Sequence, residues 1–185
     1  MSHALRGIGA VLLAVTVAGS VGAVGMAAPR APDGSPIEHP IKAANFCPDA
    51  EERAFLQLIN AYRANYRLPA LRFSRKLGAA AEHHSNQMAN NDYFSHDLLH
   101  GVTWSRNIVD HGYGFSTYKG ENIAAGRASA ADVFSQWRNS PSHNAIMLSA
   151  TFTAIGIGRG YNASSRYDWY WTTDFGGIYD AGIAC

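Results

Sequence analysis

The sequence is poor in charge, and neither sign predominates. Asp, Glu, Lys and Arg make up 16% of its 185 residues, with 15 Lys+Arg against 14 Asp+Glu. Arg6 is the one such residue before position 29, which leaves 14 of each sign in the remainder. That balance lacks the basic footprint a phosphate backbone requires, so nucleic acid is excluded as a partner. The short run RFSRK, Arg72 to Lys76, reads as a solvated face. There is no G-x-S-x-G nucleophile elbow and no H-E-x-x-H helix, which removes the sequence signals of two large hydrolase classes. Internal repeats and low-complexity tracts are also absent. A hydrophobic fraction of 47% supports a sizeable core, and the length suits one domain with an appendage.

Cysteine is scarce too. Cys47 and Cys185 are the two present. The N-terminus explains why that pair matters. Arg6 gives a positive flank, Ile8 to Met26 carries no charge, and Gly25-Met26-Ala27 offers small residues for a signal-peptidase site. Residues 1–28 are therefore expected to be a signal peptide, so the protein is expected to be secreted or extracytoplasmic. The apolar run is also long enough to span a bilayer, and an uncleaved anchor stays open as the one route to a membrane. In an exported chain the two cysteines are expected to form a disulfide. Residues 29–46, with Pro29, Pro32, Pro36 and Pro40, read as a linker, and 47–185 as the folded domain.

Within that domain, helix signals come first. Asp49 followed by Glu52 forms a capping-box pattern, and Phe55, Leu58, Ile59 and Tyr62 follow at helical spacing. Ser74 caps a second helix with Leu77, Ala81, His84 and Met88 on one face. His84 is thus read as a locally bonded core histidine and His83 as a surface one. Trp104 to Asp110 reads as a short third helix, and Ser129 with Asp132 opens another that stops at Pro141. The character then changes. Thr151 to Tyr161 and Tyr167 to Phe175 are rich in β-branched and aromatic residues, with a hairpin loop between them, and Leu71 to Phe73 adds a short strand. Helices ahead of strands give an α+β domain with helices packed over an antiparallel sheet.

Two histidines stand at element ends, where side chains converge on pockets. His96 lies in YFSHDLLHG, and His143 in WRNSPSHNAIM just past the helix ending at Pro141. Glu121 follows Gly120 in a stretch read as a loop, KGENIAAG. Two imidazoles and one carboxylate match a three-ligand set for a divalent metal. They match acid–base chemistry near neutral pH equally well.

The order HHSNQMA, YFSH, GENIAAG, W-x-x-S-P-S-H, IGIG and YWTTDFG, spanning Asp49 to Ile178, resembles the CAP superfamily of cysteine-rich secretory, antigen 5 and pathogenesis-related proteins, in its compact bacterial form. The resemblance implies a three-layer α-β-α sandwich with a central, mostly antiparallel sheet. It also implies a cleft lined by His96, Glu121 and His143, which in several animal relatives holds a divalent ion, often zinc. Departures are visible. Ser140 stands three residues after Trp137, where many eukaryotic members carry a second glutamate. Asn144 and Ile146 replace an arginine and an asparagine common in bacterial members, and Thr173 stands where glutamine is common.

The functional expectation is an exported, monomeric, non-catalytic binding module. Its cleft would hold a weakly bound divalent cation, zinc foremost, or a lipid-like, cell-envelope or protein ligand. The alternative is a hydrolase using Ser140 or Ser142 with His143 and Glu121, a Ser-His-acid grouping on paper.

Overall fold

A computed structural model of the chain describes residues 46–183 and 185. The export segment read at 1–28, and the linker up to residue 45, lie outside the described residues. Among the described residues no helix is long and apolar enough to cross a membrane.

The first helix, α1 (Ala50–Asn65), starts at a complete capping box. The Asp49 side chain accepts from Glu52 N (2.9 Å), and the Glu52 side chain accepts from Asp49 N (2.8 Å). A two-residue strand β1 (Arg72–Phe73) leads into α2 (Arg75–Asn90), which Ser74 caps by accepting from Leu77 N. A 3-10 turn at Leu99–Gly101 and α3 (Trp104–Asp110) follow, and Gly112, at φ 90°, turns the chain away.

The next element departs from the sequence reading. Lys119–Ala125, read as a loop, is strand β2. Ile123 is its one β-branched residue, too little for a strand signal, yet its five central residues are buried. After α4 (Ala130–Arg138) comes a second departure. Pro141 does not merely stop a helix; it begins α5 (Pro141–Met147) at the first turn, where a missing N–H costs nothing. His143 therefore sits inside a helix. Strands β3 (Ala154–Asn162) and β4 (Asp168–Gly176) close the fold as the expected hairpin.

The sheet order is β1-β3-β4-β2, with β1 parallel to β3 and the other pairs antiparallel. Helix α2 covers one face and α1 with α4 the other, giving a three-layer α-β-α sandwich. On the α1 side Phe55, Trp137, Ile155, Ile157, Trp171 and Phe175 form the main core. On the α2 side the packing is closer than side chains allow. Gly156, Gly158 and Gly160 lie on one face of β3, and a Cβ at each would run into the α2 backbone at Leu77, Ala81–Glu82 and Ser85. Ser85 secures the contact, its hydroxyl donating to Gly158 O (2.9 Å) and pairing with the Thr172 hydroxyl (2.9 Å). The IGIGRGY pattern is thus a seat for a helix that the sheet touches backbone to backbone.

Two further ties fix the ends. Arg63 is fully buried, and its guanidinium donates to Pro69 O, Met147 O and Ser149 O at 2.8–3.0 Å, holding the segment after α5 against α1. Cys47 and Cys185 form the expected disulfide, 138 residues apart in sequence, with Cα atoms 5.8 Å apart. Next to it Phe46 is buried against Phe73.

Candidate functional site

Strand β2 is an edge strand, and the expected cleft residues gather around it. Alternation along β2 sends Glu121 toward α2 and Asn122 toward α5. Glu121 is 3% exposed. Its Oε2 lies 2.7 Å from His84 Nδ1 and its Oε1 lies 2.7 Å from His96 Nδ1. Asn122, one residue on, donates from Nδ2 to His143 O (3.2 Å). Adjacent residues of one strand thus hold both halves of the cleft: the His96 ring through Glu121, and the His143 backbone through Asn122.

His84 corrects the sequence reading. It is a core histidine, but its bonds are not local. Its ring bridges from Glu121 to Ser95 O (3.0 Å), joining α2, β2 and the segment before His96. Ser95 O only accepts, so Nε2 carries a hydrogen, and Nδ1 faces the Glu121 carboxyl. His83 is likewise not a plain surface residue; it is half-buried, with its ring beside that of His111.

His143, at the third position of α5, brings Nδ1 to 2.9 Å from Ser140 Oγ, the residue that caps the same helix. Ser140 Oγ is also 3.3 Å from Ser142 Oγ. The Trp137 ring lies 6.1 Å from the His143 ring. Burial first, and the neighbouring His96 second, pull the His143 pKa down to about 4. It is a neutral imidazole at neutral pH. Of the expected cleft residues, the structure therefore bonds His96 to Glu121 and His143 to Ser140, and leaves no direct bond between Glu121 and His143.

One acid of this site escaped sequence reading. Asp174 on β4 pairs in register with Glu121 on β2, so the two side chains share a face. Asp174 is fully buried, and neither carboxyl oxygen meets a donor among the described residues. Burial first, then Glu121, push its pKa well above the usual carboxylate range. The signal was present in YWTTDFG: an acid set among buried strand residues.

The donor set for a cation is narrower than the three-ligand expectation. Both Glu121 oxygens are engaged by imidazole nitrogens, and among the described residues no three His, Cys, Asp or Glu side chains are grouped to hold a metal. His96 Nε2 and His143 Nε2 remain. Among the described residues neither has a hydrogen-bond partner, and neither is a buried unpartnered atom.

Comparison with known proteins agrees with this architecture. The family model for cysteine-rich secretory proteins, CAP, matches residues 56–175, more than half of the chain. The chain is 32% identical over 110 residues to the protein YkwD of Bacillus subtilis, covering 59% of this chain and 42% of that one. The crystal structure of an extracellular protein containing an SCP domain from Bacillus anthracis matches with 30% identity and a TM-score of 0.62, covering 69% of this chain and 40% of that chain. An outer surface protein from Borrelia burgdorferi, at 24% identity, shares the fold with a TM-score of 0.60 over 68% of this chain and 91% of that one. This chain spans less than half the length of the two Bacillus proteins. By its family match, its sandwich and its edge-strand cleft, it belongs to the cysteine-rich secretory protein (CAP) family.

Proposed function

We propose that the chain is an exported binding module whose cleft presents the outer nitrogens of His96 and His143 to a ligand and carries out no covalent chemistry. The commitment of both Glu121 oxygens, to His84 and His96 at 2.7 Å each, carries this reading. A Ser-His-acid relay needs its acid on the histidine that serves the serine. The Ser140–His143 contact at 2.9 Å is the one feature that favours a hydrolase, and its histidine has no acid partner among the described residues. With its pKa lowered to about 4 by burial, His143 is also a poor base at neutral pH. Export is supported by the signal-like N-terminus, by the Cys47–Cys185 disulfide suited to an oxidising compartment, and by a relative described as an extracellular protein.

Two ligand classes suit the cleft. A divalent cation such as zinc would take His96 Nε2 and His143 Nε2 as its protein ligands, with Glu121 orienting His96 from behind. A lipid-like or cell-envelope molecule would instead meet these nitrogens through its own hydrogen-bonding groups. Calorimetric zinc titration of the full chain tests the placement. Loss of one bound zinc ion in His143→Ala, and tighter binding in Ser140→Glu from the carboxylate placed beside His143, support it. The same number of bound zinc ions in wild type and His143→Ala contradicts it.

A further inference from the structure

A second pair of imidazoles lies away from the cleft, where α2 meets the end of α3. We propose that His83 and His111 form a two-histidine site for a borderline transition-metal cation of the zinc or copper class, with water completing the coordination.

The ring separation suits this role. The two centroids are 5.1 Å apart, with planes inclined at 44°. A cation bound at about 2.1 Å from an imidazole nitrogen lies roughly 3.2 Å from the ring centre, so two rings at a tetrahedral angle have centres about 5 Å apart. The ring of His111 is also fixed as a ligand ring should be. Its Nδ1 lies 2.8 Å from Asn107 O. A carbonyl only accepts, so Nδ1 carries the hydrogen and Nε2 carries the lone pair. A backbone carbonyl behind a histidine is the arrangement that sets tautomer and raises basicity in metal sites. Asn107 is itself buried and donates from Nδ2 to Ala80 O (3.0 Å), which locks the end of α3 to α2.

His83 makes no side-chain hydrogen bond among the described residues. Neither of its nitrogens, nor Nε2 of His111, is a buried unpartnered atom among the described residues; His83 is half-buried and His111 is 3% exposed. Burial, and the neighbouring imidazoles in the case of His83, lower the pKa of both rings. They are neutral near pH 7 and free to ligate. Asp110, beside His111, is turned to Arg106 Nε at 2.7 Å, and among the described residues no third His, Cys, Asp or Glu completes a set. An open two-ligand site of this kind exchanges its metal rather than holding it as a structural clamp.

The site is independent of the cleft. His84, next in sequence to His83, points into the sheet toward Glu121, whereas His83 faces α3. The experiment uses the full chain carrying His143→Ala, which disables the cleft, and zinc chloride as the probe. Long-range proton–nitrogen correlation spectra of the histidines follow the titration. Saturable shifts of His111 Nε2 together with one His83 nitrogen are expected. His83→Ala, at a half-buried helical position where alanine favours the helix, is expected to weaken zinc binding at least about tenfold. Shifts confined to His96, unchanged affinity in the His83→Ala chain, or no shift at millimolar zinc would overturn the site.

Discussion

Glu121 and Asp174 stand opposite one another on β2 and β4, two buried carboxyl groups on one face of the sheet, and they are bonded differently. Glu121 lies between the rings of His84 and His96, which supply its hydrogen-bond donors. Asp174 has no such partner among the described residues, and burial first, then Glu121, push its pKa well above the usual carboxylate range. Two carboxyl groups of similar burial thus differ because only one was given imidazoles.

That difference predicts opposite responses to amide substitution. Glu121→Gln puts an amide where one carboxyl meets both His84 Nδ1 and His96 Nδ1 at 2.7 Å, and an amide cannot match both rings as the carboxyl does; the expected loss is about 2 kcal/mol. Asp174→Asn puts an amide of the same shape where burial already disfavours the charged carboxylate, and is expected to stay within about 1 kcal/mol of wild type. Urea unfolding monitored by circular dichroism measures both. Equal losses would contradict the contrast between the two carboxyl groups.

The same state has a pH signature. A carboxyl whose folded pKa is raised above its ordinary 3.8 binds its proton more tightly when folded. Its contribution to stability is complete below the ordinary value and fades as pH rises through the raised one. The stability of wild type relative to Asp174→Asn is therefore expected to fall as pH is raised from 3.8. Urea midpoints of both proteins across a pH series give that difference, and an increase with pH would contradict the assignment.

The glycine face of β3 predicts a large effect from a single methyl group. In Gly158→Ala the new Cβ meets the α2 backbone at Ala81 and Glu82, neither of which can rotate away. The expected destabilisation is about 3 kcal/mol, at the upper end for overpacking, with lost near-ultraviolet dichroism as α2 lifts. Gly114→Ala, where a Cβ meets nothing, serves as the control.

Much of this architecture was legible in the sequence. The capping residues Asp49, Ser74 and Ser129 placed three helices, and the β-branched and aromatic runs placed β3 and β4, because those signals are local. Strand β2 was hidden, since Ile123 is its one β-branched residue and it owes its extended form to pairing with β4 rather than to propensity. Helix α5 was hidden behind Pro141, which signals an ending as readily as a beginning. In the site, His96, Glu121 and His143 were found by their motifs. The bonds of His84 and the pairing of Asp174 with Glu121 depend on strand register, which no spacing along the chain reveals.

The disulfide makes a further prediction. Cys47 and Cys185 join the two ends of the folded region, so the bridge constrains nearly all of it in the unfolded state. Reduction and alkylation are expected to lower stability by up to about 5 kcal/mol. Denaturant unfolding of the intact and alkylated proteins measures the change, and identical midpoints would mean the bridge contributes nothing.

The central claim is that the cleft binds without turnover, because the acid a serine relay would require is held by other histidines. Hydrolysis of a panel of generic esters by the full chain, alongside Ser140→Ala and His143→Ala, tests it most directly. The account predicts no rate above buffer for any of the three proteins. Measurable hydrolysis by wild type that Ser140→Ala abolishes would contradict it and establish Ser140 and His143 as a working catalytic pair.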